Sequence, residues 1–280
     1  MFNSSLKKDA LAIHKKEVEK YDNAYKTMMS SCDDLYRERV LSVKCLEQIG
    51  ELINSIANTP KDFEQKIQRI YKERDKFKET EVYAKESMES TIKSGIGVFS
   101  AIGAGGAFAG IAPNVAMSIA TTFGTASTGT AISSLSGVVA QKAALAWLGG
   151  GALSAGGGGI VAGKALLALA GPIGWGISAA GTGISLISLS VKNKKIADEA
   201  IEETKYIAKC RADIVNCNEK INNLIDETET LHDNLSVQYN NLSKYKNADF
   251  TTLSGDVQMQ LGTLVNNTLS LAELVNKTVE

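Results

Sequence analysis

Residues 94–191 form a stretch of 98 positions with only two charged side chains, Lys142 and Lys164, and 22 of the chain's 25 glycines. The other 182 positions carry 28 basic and 31 acidic side chains. Two materials are therefore joined in one chain, and any fold must keep the apolar one inside a core or a bilayer. Its uncharged runs are 48 residues (94–141), 21 residues (143–163) and 27 residues (165–191). A membrane-crossing helix needs about 20 largely apolar residues. The plain alternative is a tightly packed helical hairpin in a soluble core, but soluble cores rarely need three such runs in succession. Membrane insertion is the reading adopted.

The glycines fit that reading through packing. Gly106 and Gly110 make one small-x-x-x-small pair, and Gly151, Ala155, Gly159 and Gly163 make a row with four-residue spacing. Such rows let helix backbones approach closely where lipid removes the hydrophobic drive for association. The same glycines weaken a helix in water, so the segment is suited to a change of state. TTFGTASTGT, residues 121–130, reads as a turn between two passes. Phe99, Phe108 and Ile111 are candidates for first lipid contact. Trp147 and Trp175 are candidate interfacial anchors, with a buried core position as the bland alternative. Lys142 and Lys164 are costly in lipid and should snorkel or face a water-filled lumen. Lys93 at the entrance and Lys192, Lys194 and Lys195 at the exit suit two boundaries at one anionic leaflet, which implies an even number of crossings.

The flanks are helical. In the first, Val18, Tyr21, Tyr25, Met28, Cys32, Leu35, Arg39, Ser42, Leu46, Ile49, Ile53 and Ile56 step alternately by three and four, with Arg39 and Ser42 as the interruption. One long helix with a coiled-coil seam is expected over about residues 5–58, roughly 80 Å long, ending at Pro60. A second helix carries Phe63, Ile67, Ile70, Phe77, Ala84 and Met88 on one face. Beyond the apolar block, Ala200, Ile207, Cys210, Ile214, Cys217, Ile221, Leu224, Leu231, Leu235, Leu242 and Tyr245 mark another long helix, about residues 193–246, whose seam tolerates Glu203, Thr228 and Gln238. KNADFTT makes a turn. Val257, Leu261, Leu264, Leu271 and Val275, with Thr268 in the stripe, mark a shorter last helix. The expected fold is all-α: an elongated antiparallel bundle (residues 1–94 and 192–280) with a Gly/Ala-rich head, residues 95–191, inserted between its second and third long helices.

Chemistry is thinly represented. The run from Gly158 to Lys164 resembles a phosphate-binding loop, but Ala165 stands where Ser or Thr would hold Mg²⁺, and no buried strand precedes it. Nucleotide binding is rejected, and the net charge of −1 gives no electrostatic case for nucleic acid. Glu229, His232 and Asp233 share one helical face, so a weak metal site is conceivable; a solvated face is the preferred reading. Cys32, Cys45, Cys210 and Cys217 are expected to be reduced, buried thiols. No catalytic, cofactor or metal site is assigned. The start, MFNSSLKKDALAIHKKEVEKY, has charges where a secretory segment needs an apolar run, so no signal peptide is expected.

The order of long helix, shorter helix, apolar insertion, long helix and shorter helix resembles the α-helical pore-forming toxins of the cytolysin A type, a group that includes the haemolysin BL and non-haemolytic enterotoxin components. The resemblance rests on the seams above and on the block SGIGVFSAIGAGGAFAGIAPNVAMSIATTFG. It implies a soluble bundle, cytoplasmic before release and exported without a conventional signal peptide, which inserts a hydrophobic element into a target-cell membrane and oligomerises. The implied partners are the lipid bilayer, further copies of the chain and, as for some members, companion toxin components. The insertion is longer and richer in glycine than that family's and is closer to glycine-zipper membrane-depolarising effectors. Two other classes stay open: a constitutive membrane protein with coiled-coil partner-binding arms, and a phage or secretion-system structural protein.

Overall fold

The computed structural model describes residues 4–93, Thr122 and residues 189–279. Four α-helices account for nearly all of them: α1 (Ser4–Ser55), α2 (Lys61–Lys93), α3 (Leu189–Leu242) and α4 (Gly255–Val275), with 3-10 turns at Ser243–Tyr245 and Phe250–Thr252. Among the described residues there is no strand, only an isolated parallel bridge between Ala57 and Asp249.

The seams become the core. On α1, Tyr21, Met28, Cys32, Leu35, Leu46, Ile49 and Ile53 are buried, as is Ile56 just beyond its end, and on α3 so are Ala200, Ile207, Ile214, Ile221, Leu224, Leu235 and Leu242. Thr228 and Thr268 sit fully buried in the stripes of α3 and α4. Their hydroxyls donate to the carbonyls of Leu224 and Leu264, each at 2.6 Å, which satisfies the polar atom within the helix's own preceding turn. α1 ends three residues before its expected limit. Asn58 takes a left-handed φ of 54°, a conformation asparagine tolerates better than most residues, and Pro60 precedes the first residue of α2. Asp62 and Glu64 then occupy the first turn of α2, where negative charge favours the helix dipole.

Cross-helix bonds set the directions. Glu17 meets Arg211, Glu38 meets His232, and the Ala57 amide donates to the Ala248 carbonyl, so α1 and α3 run parallel, side by side, with a nearly constant register. α2 runs against α1: Tyr36 bonds Glu81, Glu47 bonds Lys78, and Asn54 bonds Tyr71. α4 follows α2, with Lys66 on Asn266 and Arg69 on Glu273. The two longest helices are thus a parallel pair, a direction that the seams did not reveal. At Gly50 the Tyr71 ring lies so close that a Cβ would stand 2.5 Å from its hydroxyl oxygen.

The core falls into layers along the α1–α3 pair. Nearest the interhelix loops, all four helices contribute, through Leu46, Ile49, Ile67, Leu235, Leu261 and Leu264 among others. Further along, α1 and α3 face each other through Tyr21, Met28, Leu35, Ile207, Ile214 and Ile221, and Leu274 and Val279 pack against this cluster. Toward the start of α1 the seam narrows to Ala10, Ala197 and Ala200. Small residues there bring the backbones close at the end where α3 begins.

Candidate functional site

The residues expected to act on a membrane, Phe99, Phe108, Ile111, Trp147, Trp175, Gly106, Gly110, Gly151, Gly159, Gly163, Lys142 and Lys164, lie outside the described residues, as does Ala155. Among the described residues no helix is long and apolar enough to cross a membrane. Of the flanking lysines, Lys93 is the last residue of α2, and Lys192, Lys194 and Lys195 belong to the first turns of α3. Lys194 and Lys195 are exposed, and Lys195 lies 3.8 Å from Glu199.

The described part of the molecule has its own unusual polar site, where the seam of α1 is interrupted. The steps of three and four carry Cys32, Leu35, Arg39 and Ser42 onto one face, and all four are buried. Arg39 is fully buried, and its Nη2 donates to the Lys277 carbonyl. Burial lowers its pKa to about 9, opposed by Cys32, which leaves the guanidinium charged at neutral pH. A desolvated guanidinium is strongly destabilising unless its donors are used, so the carbonyl of the C-terminal tail is part of what makes the position tenable.

That tail, residues 276–279, is a clasp. The Asn276 side-chain amide donates to the backbone and side-chain oxygens of Glu73 on α2, at 2.8 and 2.9 Å. The Lys277 ammonium pairs with Glu227 on α3 at 3.0 Å. The Val279 amide donates at 3.2 Å to the carbonyl of Thr122, the one described residue between Lys93 and Leu189. Thr122 is fully buried. Its hydroxyl is within hydrogen-bonding reach of the Cys32 thiol and draws that group's pKa down, against the larger upward push of burial. The buried Ser42 hydroxyl finds no hydrogen-bond partner among the described residues.

Away from the clasp, three polar contacts cross the parallel pair: His14 to Glu203 at 3.3 Å, the Glu17–Arg211 ion pair at 2.6 Å, and Glu38 to His232 at 2.7 Å. His232 thus turns toward α1. Among the described residues no group of three potential ligands is placed to hold a metal, so the weak site imagined at Glu229, His232 and Asp233 does not form. The hydrogen bonds from Arg211 and Lys20 hold the Glu17 carboxyl below its usual range. Cys32, Cys45 and Cys217 are free thiols; burial pushes all three up, Cys217 to about 11. They are protonated and poorly nucleophilic at neutral pH. The Cys210 side chain lies outside the described residues.

The seam reading located Arg39 and Ser42 but treated them as a mere break. Two polar residues at seam positions were the available signal for the clasp. No comparable signal marked the tail, whose residues NKTV have no period, nor singled out Thr122 within TTFG. No family model, curated protein or solved structure matches the chain.

Proposed function

We propose that the chain is a membrane-permeabilising protein of the α-helical pore-forming kind, in which the helical bundle carries residues 95–191 as an inserting, Gly/Ala-rich head at one end of an elongated rod. The observation that carries this reading is the joining of a 98-residue segment bearing two charges to a heavily charged helical bundle. The helix directions support it. α2 runs toward the start of α1, and α3 begins beside the start of α1, so both ends of the segment are directed to the same end of the bundle. A segment tethered twice from one side crosses a bilayer an even number of times, most simply as a hairpin. Lys93, Lys192, Lys194 and Lys195 then meet the anionic surface from that side. Phe99, Phe108 and Ile111 make first lipid contact, and the glycine rows pack the inserted helices. Insertion with self-association yields a lumen or leak lined in part by Lys142 and Lys164.

The test of insertion is flotation. Purified, detergent-free protein is mixed with vesicles containing anionic lipid, washed at alkaline pH to strip surface-bound material, and floated on a density gradient. Insertion predicts that the chain rises with the lipid and that only the bundle is cut by added protease. Protein that stays at the bottom, shown to be folded by its helical circular dichroism, would contradict the proposal. A protein that is never soluble without detergent would point instead to a constitutive membrane protein with coiled-coil arms.

A further inference from the structure

We propose that the lysine-rich end of the α1–α3 pair, with the apolar flank beside it, is a docking surface for an anionic lipid bilayer. This deepens the membrane-permeabilising reading, on which the choice of lipid as partner rests, by giving the bundle a hold on the membrane of its own. The two helices start side by side: Ala10 packs with Ala197 and Ala200, and His14 lies 3.3 Å from Glu203. Residues 4–8 and 189–197 together carry five lysines, Lys7, Lys8, Lys192, Lys194 and Lys195, and no carboxylate, in a chain whose net charge is −1. Lys8, Lys194 and Lys195 are exposed. Asp9, Asp198 and Glu199 follow the lysines along each helix, so the excess of positive charge is confined to the tip.

Apolar side chains accompany the lysines. The Glu17–Arg211 ion pair marks one flank of the helix pair. On α1, Leu6 and Ile13 stand eleven and four residues before Glu17, and on α3 Ile201 stands ten before Arg211, spacings that return each to that flank. Leu6 is 42% exposed, Ile13 61% and Ile201 38%. Among the described residues α2 stops short of them: with Tyr36 opposite Glu81, Lys93, twelve residues further on, comes level with about residue 24 of α1. Exposed apolar groups beside lysines are what a helical surface uses to bind an anionic interface. The apolar atoms enter the headgroup layer while the ammonium groups meet the phosphates.

The experiment uses the full chain in a Cys210→Ser, Cys217→Ser background, with a polarity-sensitive fluorophore on one new cysteine: Ile13→Cys, Ile201→Cys or, at the far part of the bundle, Val237→Cys, where the native side chain is 61% exposed. Vesicles of phosphatidylcholine with phosphatidylserine should shift the emission at positions 13 and 201 to the blue and leave position 237 unchanged; phosphatidylcholine alone should shift none. Lys7→Gln with Lys8→Gln should weaken binding about twentyfold, at about fivefold for each lysine. Leu6→Ser with Ile13→Ser should weaken it at least about tenfold, whereas Leu41→Ser with Val237→Ser, equally exposed apolar positions, should not. Vesicle-bound protein whose label at position 13 stays in water, or an equal shift at position 237, would overturn the docking surface; dye release by the same protein would leave the permeabilising reading intact. An equal shift on phosphatidylcholine alone would overturn the anionic partner. A shift confined to positions 13 and 201 without dye release would uphold the surface and bring down the permeabilising reading.

Discussion

Replacing Gly50 by alanine should destabilise the bundle although it improves the helix. In a helix interior the exchange is worth about 1 kcal/mol in favour of alanine. Against it stands the Tyr71 ring of α2: an added Cβ would lie 2.5 Å from Oη, 2.7 Å from Cε1 and 2.9 Å from Cζ. The ring must swing away. Doing so sacrifices the Asn54–Tyr71 hydrogen bond of 2.9 Å, about 1 kcal/mol, and the Arg74 guanidinium stacked 4.5 Å over the ring, about 0.5–1 kcal/mol. It also uncovers part of the apolar layer against which Tyr71 packs, about another 1 kcal/mol. The net loss is about 1–2 kcal/mol. Urea denaturation followed by helical circular dichroism measures it, and a Tyr71→Ala background makes the test sharp. There the obstacle is gone and Gly50→Ala should stabilise by about 1 kcal/mol, so the sign reverses. Equal effects in both backgrounds would refute the close approach of α1 and α2 at this position.

Other expectations follow from the charges. Exchanging Lys142 and Lys164 for glutamate should move the ion selectivity of membrane-bound protein toward cations; an unchanged reversal potential in planar bilayers would remove both lysines from the lumen. The Glu17 and Asp249 carboxyls are held below their usual range, Glu17 by Arg211 and Lys20 and Asp249 by Thr251 and Asn58. A lowered folded-state pKa adds stability that is complete above the unfolded value and is lost as pH falls through the folded one. Thermal stability should therefore fall on acidification below about pH 4.5, less steeply in Glu17→Gln; parallel acid limbs would show that Glu17 contributes nothing. Replacing His232 by alanine leaves the half-buried Glu38 without its 2.7 Å partner and should lower stability by about 1–2 kcal/mol, a loss that a further Glu38→Leu exchange should reduce.

Among the described residues, the four helices and their buried faces were readable because a stripe of period 3.5 states which side of a helix avoids water. Tyr21, Leu35, Ile49, Ile214 and Leu235 are buried as their spacing required. A stripe does not say which other stripe covers it or in which direction that partner runs. The parallel α1–α3 pair is set by bridges between residues nearly two hundred positions apart, such as Glu17 with Arg211, and by the loops meeting at Ala57 and Asp249. Arg39 looked like a flaw in the seam because its partner is a backbone carbonyl near the C-terminus, and carbonyls carry no sequence signature. Thr122 was hidden for a related reason: a threonine among threonines becomes distinctive only when its carbonyl meets the Val279 amide. Cys32, by contrast, was expected in the core from its seam position, and Cys45 as a buried, reduced thiol, and both are buried.

The measurement that bears most directly on the central claim is dye release from liposomes, with and without anionic lipid, on addition of detergent-free full-length protein. The account predicts rapid release that is lost when residues 95–188, the apolar block up to the first residue of α3, are replaced by a short linker. Intact vesicles in the presence of folded, soluble protein would contradict it.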